Sequence, residues 1–176
     1  VVERPGHAGA ADALATDRPR QGLMAFSADC PLVMLADTRG GPVGIAHAGW
    51  RSTVQGIVGR LISRMERQWG TRPADLAAGI APSAGPCCYE VGADVAQAIE
   101  AALGARAAQQ ALRPAAAGKW MLDLWRANVD QLIAAGVPSE RISVAGVCSI
   151  CGGDLLPSHR REGDAAGRAV AVIARP

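Results

Sequence analysis

Apolar residues fall in two rhythms along this chain. Gly22 to Ser27, Pro31 to Ala36 and Val43 to Ala46 are short apolar runs separated by turn residues, which predicts three strands in a meander. From Ser52 to Trp69 the rhythm lengthens. Val54, Ile57, Val58, Leu61, Ile62, Met65 and Trp69 follow a helical stripe, with Ser52 placed to cap the start and Gly70 to end it. Gly56 and Gly59 lie inside that helix and predict the close approach of another backbone. Leu76 to Ala81 reads as a buried strand. Helices are predicted around Val95 to Leu103, over Ala105 to Leu112 and over Met121 to Ala135, the last stopped by Gly136. Arg141 to Val147 and Arg168 to Ala174 complete the set as strands. Hairpin strands mixed with helices predict an α/β fold built on a mixed sheet with flanking helices.

The chemistry gathers between Ser27 and Ser52 (SADCPLVMLADTRGGPVGIAHAGWRS). Cys30 precedes one apolar run, His47 ends the next, and a Gly-Gly turn joins them. If the two runs pair, thiol and imidazole share one end of the sheet. They then form a metal half-site or a nucleophile–base pair, or else a buried structural cysteine beside a satisfied core histidine. The predicted Ser52 helix starts close to His47 and would favour an anion there.

Composition narrows the classes. A chain of 176 residues, 49% of them apolar, suits one domain with one sizeable core. A net charge of +2 and only 3% aromatics give no basic stripe or stacking surface, so nucleic acid is an unfavoured partner. No run is long enough to span a membrane, and VVERPGHAGAADALA carries no signal-peptide pattern, which points to the cytoplasm. A first residue other than Met fits a processed or partial chain. Five cysteines without an export signal favour reduced thiols. Cys148 and Cys151 form a CxxC pair with glycines after it. No second CxxC exists to complete a structural zinc site, so they and the adjacent Cys87 and Cys88 read as loop cysteines near a pocket. His7 reads as a solvated loop histidine. Arg51, Arg160 and Arg161 are candidates for binding an anion.

The motifs ADCPLVMLAD, AHAGWRS, GIAPSAGPCCYEVG, LDLWRANVDQLIAAGV and SHRREGDAAGRAVAVI together resemble the YfiH-like laccase-domain family, long labelled polyphenol oxidase. The resemblance runs from about Ala11 to the C-terminus. It implies a YfiH-like α/β fold and a zinc site of one cysteine and two histidines. Cys30 matches the family's cysteine and His47 one histidine. The other belongs to a QVHG motif expected before residue 1, so the chain resembles a member lacking its N-terminal segment. The family's Ser-Tyr-Arg-Arg run is here Ser158-His159-Arg160-Arg161, and its Cys-Thr is Cys148-Ser149.

The activity implied is zinc-dependent purine nucleoside phosphorolysis of adenosine or inosine, with deamination of adenosine as a further reaction. Arg51, Arg160 or the Ser52 helix would hold phosphate, and Asp29 would orient a ligand histidine. The alternatives are a copper-dependent phenol oxidase, a peptidoglycan-precursor amide hydrolase, and a fragment inactive for want of a ligand. Three histidines cannot build a trinuclear copper cluster. The sequence does not set the oligomeric state.

Overall fold

Five strands of the computed structural model pair in the order β1-β4-β3-β5-β9. They are β1 (Ala13–Thr16), β3 (Leu32–Asp37), β4 (Val43–His47), β5 (Leu76–Ile80) and β9 (Ile142–Val144). The structure describes residues 1–3, 6 and 9–176, without the side chain of residue 117, so His7 lies outside the described residues. The β5–β9 pair is parallel and the other pairs are antiparallel, which makes the sheet mixed, as the alternation of runs predicts.

This sheet is covered on both faces. Val33, Leu35, Ala46, Ala78 and Ile80 meet Val58, Leu61, Ile62 and Met65 of α2 (Ile57–Trp69) and Leu132 of α5 (Leu124–Ala134). Leu32, Val43 and Ile45 instead meet Leu23 and Ala171. Those two belong to β2 (Gly22–Ser27) and β10 (Ala169–Ala174), which form a separate antiparallel ribbon. The expected meander is therefore wrong at its first strand. The partner of β2 lies at the far end of the chain, and β2 packs across the sheet instead of extending it.

A third cluster of apolar residues gathers α3 (Ala93–Leu103) and α4 (Ala105–Ala111) against the start of α5. A small sheet in the order β6-β8-β7 lies with it, built from β6 (Glu90–Val91), β7 (Leu112–Pro114) and β8 (Trp120–Leu122). Met121 and Leu122 belong to β8, so the helix predicted from Met121 begins at Leu124. Asp123 caps it, its carboxylate accepting from the backbone N–H of Arg126 at 2.9 Å.

The long predicted helix is broken. α1 (Trp50–Val54) ends, and Gly56 takes a left-handed φ of 70° before α2 begins. Ser52 lies inside α1 and not at its start, and its hydroxyl donates to the carbonyls of His47 and Gly49. Asn128 and Gln131 of α5 donate to the hydroxyl and carbonyl of Thr53, which ties the break to the neighbouring helix. Neither Gly56 nor Gly59 has a neighbour within 4 Å of an added Cβ. The close approach is at Gly44 on β4, where a Cβ would lie 3.1 Å from Leu61 and 3.2 Å from Met65. No helix among the described residues is long and apolar enough to cross a membrane.

Candidate functional site

The register of β3 on β4 pairs Leu32 with His47. Cys30, two residues before Leu32, therefore lies at the same end of the sheet as His47. Both side chains face the backbone of Gly49. A Cβ built there would lie 2.9 Å from the Cys30 sulfur and 3.4 Å from Cε1 of His47. Glycine thus keeps open a cradle that any larger residue would fill. A thiol and an imidazole facing one open space supply two of the three protein donors that a catalytic zinc site takes, and among the described residues no group of three metal-binding side chains includes them.

Asp29 holds the turn before Cys30. It is buried and adopts a left-handed φ of 81°, uncommon for a residue with a side chain. Its carboxylate accepts from the Ser149 hydroxyl at 2.6 Å and from the backbone N–H of Arg160 at 2.8 Å. Asp29, expected to orient a ligand histidine, here fastens two distant loops beside Cys30. The carboxylate next to His47 is that of Asp12, 3.9 Å from Nδ1. Sequence reasoning missed Asp12. The signal was the short apolar run Ala13 to Ala15, which pairs on β4 and brings Asp12 level with His47.

The charges around Cys30 oppose one another. Burial pushes its thiol up and Asp29 adds to that, while Arg160 and Arg51 pull it down. Arg51 lies over the Trp50 ring, 4.4 Å from its centre. Arg160 lies 4.9 Å from the centre of the Tyr89 ring and donates to the Glu90 carbonyl at 2.8 Å. Arg161 points elsewhere. It donates to the carbonyls of Ser149, Ile150 and Leu156 and pairs with Glu162, so it braces its own loop. Nδ1 of His159 lies 2.9 Å from the Gly163 carbonyl. His47 and Asp12 border a cleft of about 960 Å³ that runs along β2 to Phe26. Cys30 and Asp29 line a smaller cavity of about 180 Å³.

The loop cysteines do not remain apart. The sulfurs of Cys87, Cys88, Cys148 and Cys151 all lie within 4.8 Å of one another, close enough to hold a metal ion. The parallel strands β5 and β9 deliver the two loops side by side, and Ser83 continues the pairing with Cys148. Burial pushes the Cys88 thiol up to about 12, and the surrounding thiols add to that. Burial acts the same way on Cys148, but backbone N–H groups of Cys151, Gly85 and Ile150 outweigh it and lower that thiol to about 7.

All 176 residues match the family model described as multi-copper polyphenol oxidoreductase laccase. The chain belongs to this laccase-like family. Within it, purine nucleoside phosphorylase YlmD of Geobacillus stearothermophilus is 37% identical over 164 residues, covering 93% of this chain and 60% of that protein. Adenosine deaminase RL5, from an unknown prokaryotic organism, is 37% identical over 149 residues, covering 85% and 56%. The crystal structure of YfiH from Bacillus licheniformis superposes with a TM-score of 0.90 at 36% identity, covering 95% of this chain and 62% of that one. The YlmD crystal structure superposes at 0.86 and 36% identity, covering 93% and 60%. The chain spans about three-fifths of the length of these relatives.

Proposed function

We propose that this chain carries the thiol–imidazole half of a zinc-dependent purine nucleoside phosphorylase. The enzyme would act in the cytoplasm on adenosine or inosine with phosphate, and would also deaminate adenosine. The observation that carries this reading is the convergence of Cys30 and His47 on the space above Gly49, flanked by the cationic Arg51 and Arg160. The names of the phosphorylase and deaminase relatives support it.

Cys30 and His47 would hold the ion, with a third donor as the family resemblance implies. When bound, zinc supplies a Lewis acid that activates water for deamination. The chain's own residues do the rest. Arg51 and Arg160 offer guanidinium groups to a phosphate dianion, and bidentate hydrogen bonds would set its orientation. Asp29 fixes the backbone of Arg160 and so sets where that cation stands. Asp12 lies 3.9 Å from Nδ1 of His47, and a small approach would let it accept there and leave Nε2 for the metal. The cleft beside His47 has the size of a small-molecule site.

The test is release of hypoxanthine from inosine with and without phosphate, run on the protein and on Cys30→Ala and His47→Ala variants. Phosphate-dependent release that both substitutions abolish supports the proposal. Turnover that survives either substitution, or that ignores phosphate, overturns it.

A further inference from the structure

We propose that Cys87, Cys88, Cys148 and Cys151 bind one zinc ion in an all-thiolate structural site, separate from the Cys30–His47 pole. The spacing of the sulfurs is the first argument. Four thiolates around zinc at about 2.3 Å stand roughly 3.8 Å from one another by tetrahedral geometry. Here the four lie within 4.8 Å, and the Cys87 and Cys151 sulfurs are 3.6 Å apart. Iron–sulfur clusters need a wider ring of cysteines, and a soft four-sulfur set selects zinc over hard cations.

The loops are built to hold that spacing. Gly85 donates its backbone N–H to the Cys148 sulfur at 3.2 Å. A Cβ at Gly85 would lie 2.8 Å from the Trp125 ring and 3.1 Å from the Cys148 Cβ, so only glycine lets this loop come so close. A Cβ at Gly152 would meet the Cys148 carbonyl at 2.5 Å, which keeps the turn after the CxxC pair tight. Backbone bonds from Ser83 to Val147 and from Ser149 to Ser83 lock the loops together, and the Trp125 indole donates to the Ser83 hydroxyl at 2.6 Å.

Charge is provided for as well. Zinc binding would release the remaining thiol protons to solvent and leave a site of net charge −2. Arg113 donates to the Pro86 carbonyl beside Cys87, and Arg161 to the carbonyls of Ser149 and Ile150 beside Cys151. The site would staple the loop carrying Tyr89 and Glu90, which supports Arg160, to the loop carrying Ser149, which holds Asp29.

The experiment uses a Cys30→Ser/His47→Ala double variant, which removes the other pole and so tests this site whatever the fate of the proposed activity. Purified under reducing conditions and titrated with zinc, it is expected to bind one ion per chain, and with cobalt to show tetrahedral thiolate absorbance. Zinc should slow alkylation of the four thiols about 10-fold or more, reversed by a chelator, because a thiolate bonded to the metal is withheld from the reagent. Adding Cys151→Ser should weaken zinc binding by about 100-fold or more, beyond what loss of an outer partner costs. If that variant does not fold, thiol protection in the double variant decides alone. A double variant that binds no zinc, four thiols alkylated equally fast with and without it, or a Cys87–Cys151 disulfide in place of metal would each overturn the proposal.

Discussion

His47 ends β4 and Cys30 stands in the turn two residues before β3, so one hydrogen-bonded strand pair carries both, whereas Cys87, Cys88, Cys148 and Cys151 stand on two loops. The strand-borne pair offers two donors around an open space, with cations and a cleft beside it. The loop-borne set offers four donors and no free corner. Strands hold a few groups rigidly while leaving one side accessible, which suits chemistry. Loops already tied by backbone bonds and brought together at four thiols gain a further link if those thiols share a metal, which suits a staple. Glycine makes both possible, in opposite senses. Gly49 keeps a space empty, and Gly85 lets two loops close one.

The hardest blow to this contrast is to remove the strand-borne donors. Cys30→Ala or His47→Ala should lower phosphate-dependent nucleoside cleavage by about 10²–10³-fold or more, the scale of losing a group that stabilises developing charge. Metal content at the four thiols should stay intact, as elemental analysis will check.

Gly49→Ala is a subtler cut, because it keeps both donors and fills their cradle. Its Cβ would sit 2.9 Å from the Cys30 sulfur. The expected loss in kcat/KM is about 10-fold or more, with about 1–3 kcal/mol lost in denaturant unfolding from overpacking. Gly85→Ala is its counterpart at the loops. It should cost a similar ~1–3 kcal/mol by collision with Trp125, and it should reduce zinc affinity at the four thiols. If Gly85→Ala strikes activity as hard as Gly49→Ala does, the division between chemistry and staple fails.

The smallest effect is expected at the opposite end of the sheet. Asp75 receives hydrogen bonds from Arg72 and lies beside Arg39, which hold its carboxyl below the usual carboxylate range. A depressed acid contributes stability above its unfolded pKa and loses it as pH falls through the folded one. Asp75→Asn should therefore lower stability slightly at neutral pH and leave it unchanged in strong acid, with the difference fading below about pH 4. Thermal melts across pH will show this, and both metal sites should be indifferent to it.

The parts of the fold that the sequence made legible are those whose signals are local. The two runs around the Gly-Gly turn pair as expected, so Cys30 and His47 meet. The stripe from Ile57 to Trp69 is a helix ended by Gly70 in a left-handed conformation. The break at Gly56 was hidden because an apolar stripe can cross a kink without changing phase. Long-range partners were hidden too. Nothing near β2 indicates that β10 is its mate, and nothing in CC or CxxC alone shows that cysteines 64 positions apart come together in one group of four. That group depends on β5 and β9 running parallel, a choice made by tertiary packing. Asp12 was overlooked because an edge strand of four residues leaves a weak pattern.

Asp29 has a further consequence. Its backbone carbonyl accepts from Ala84, and its carboxylate from Ser149 and Arg160, so one residue beside Cys30 is bonded to three separate loops. Such loops cannot open to solvent independently. In native-state amide exchange, the N–H groups of Ala84 and Arg160 would share one opening free energy, making this corner a single cooperative unit of local unfolding. Loosening any of the three loops would then be felt at the position of the Arg160 cation, even where no side chain near the nucleoside had changed.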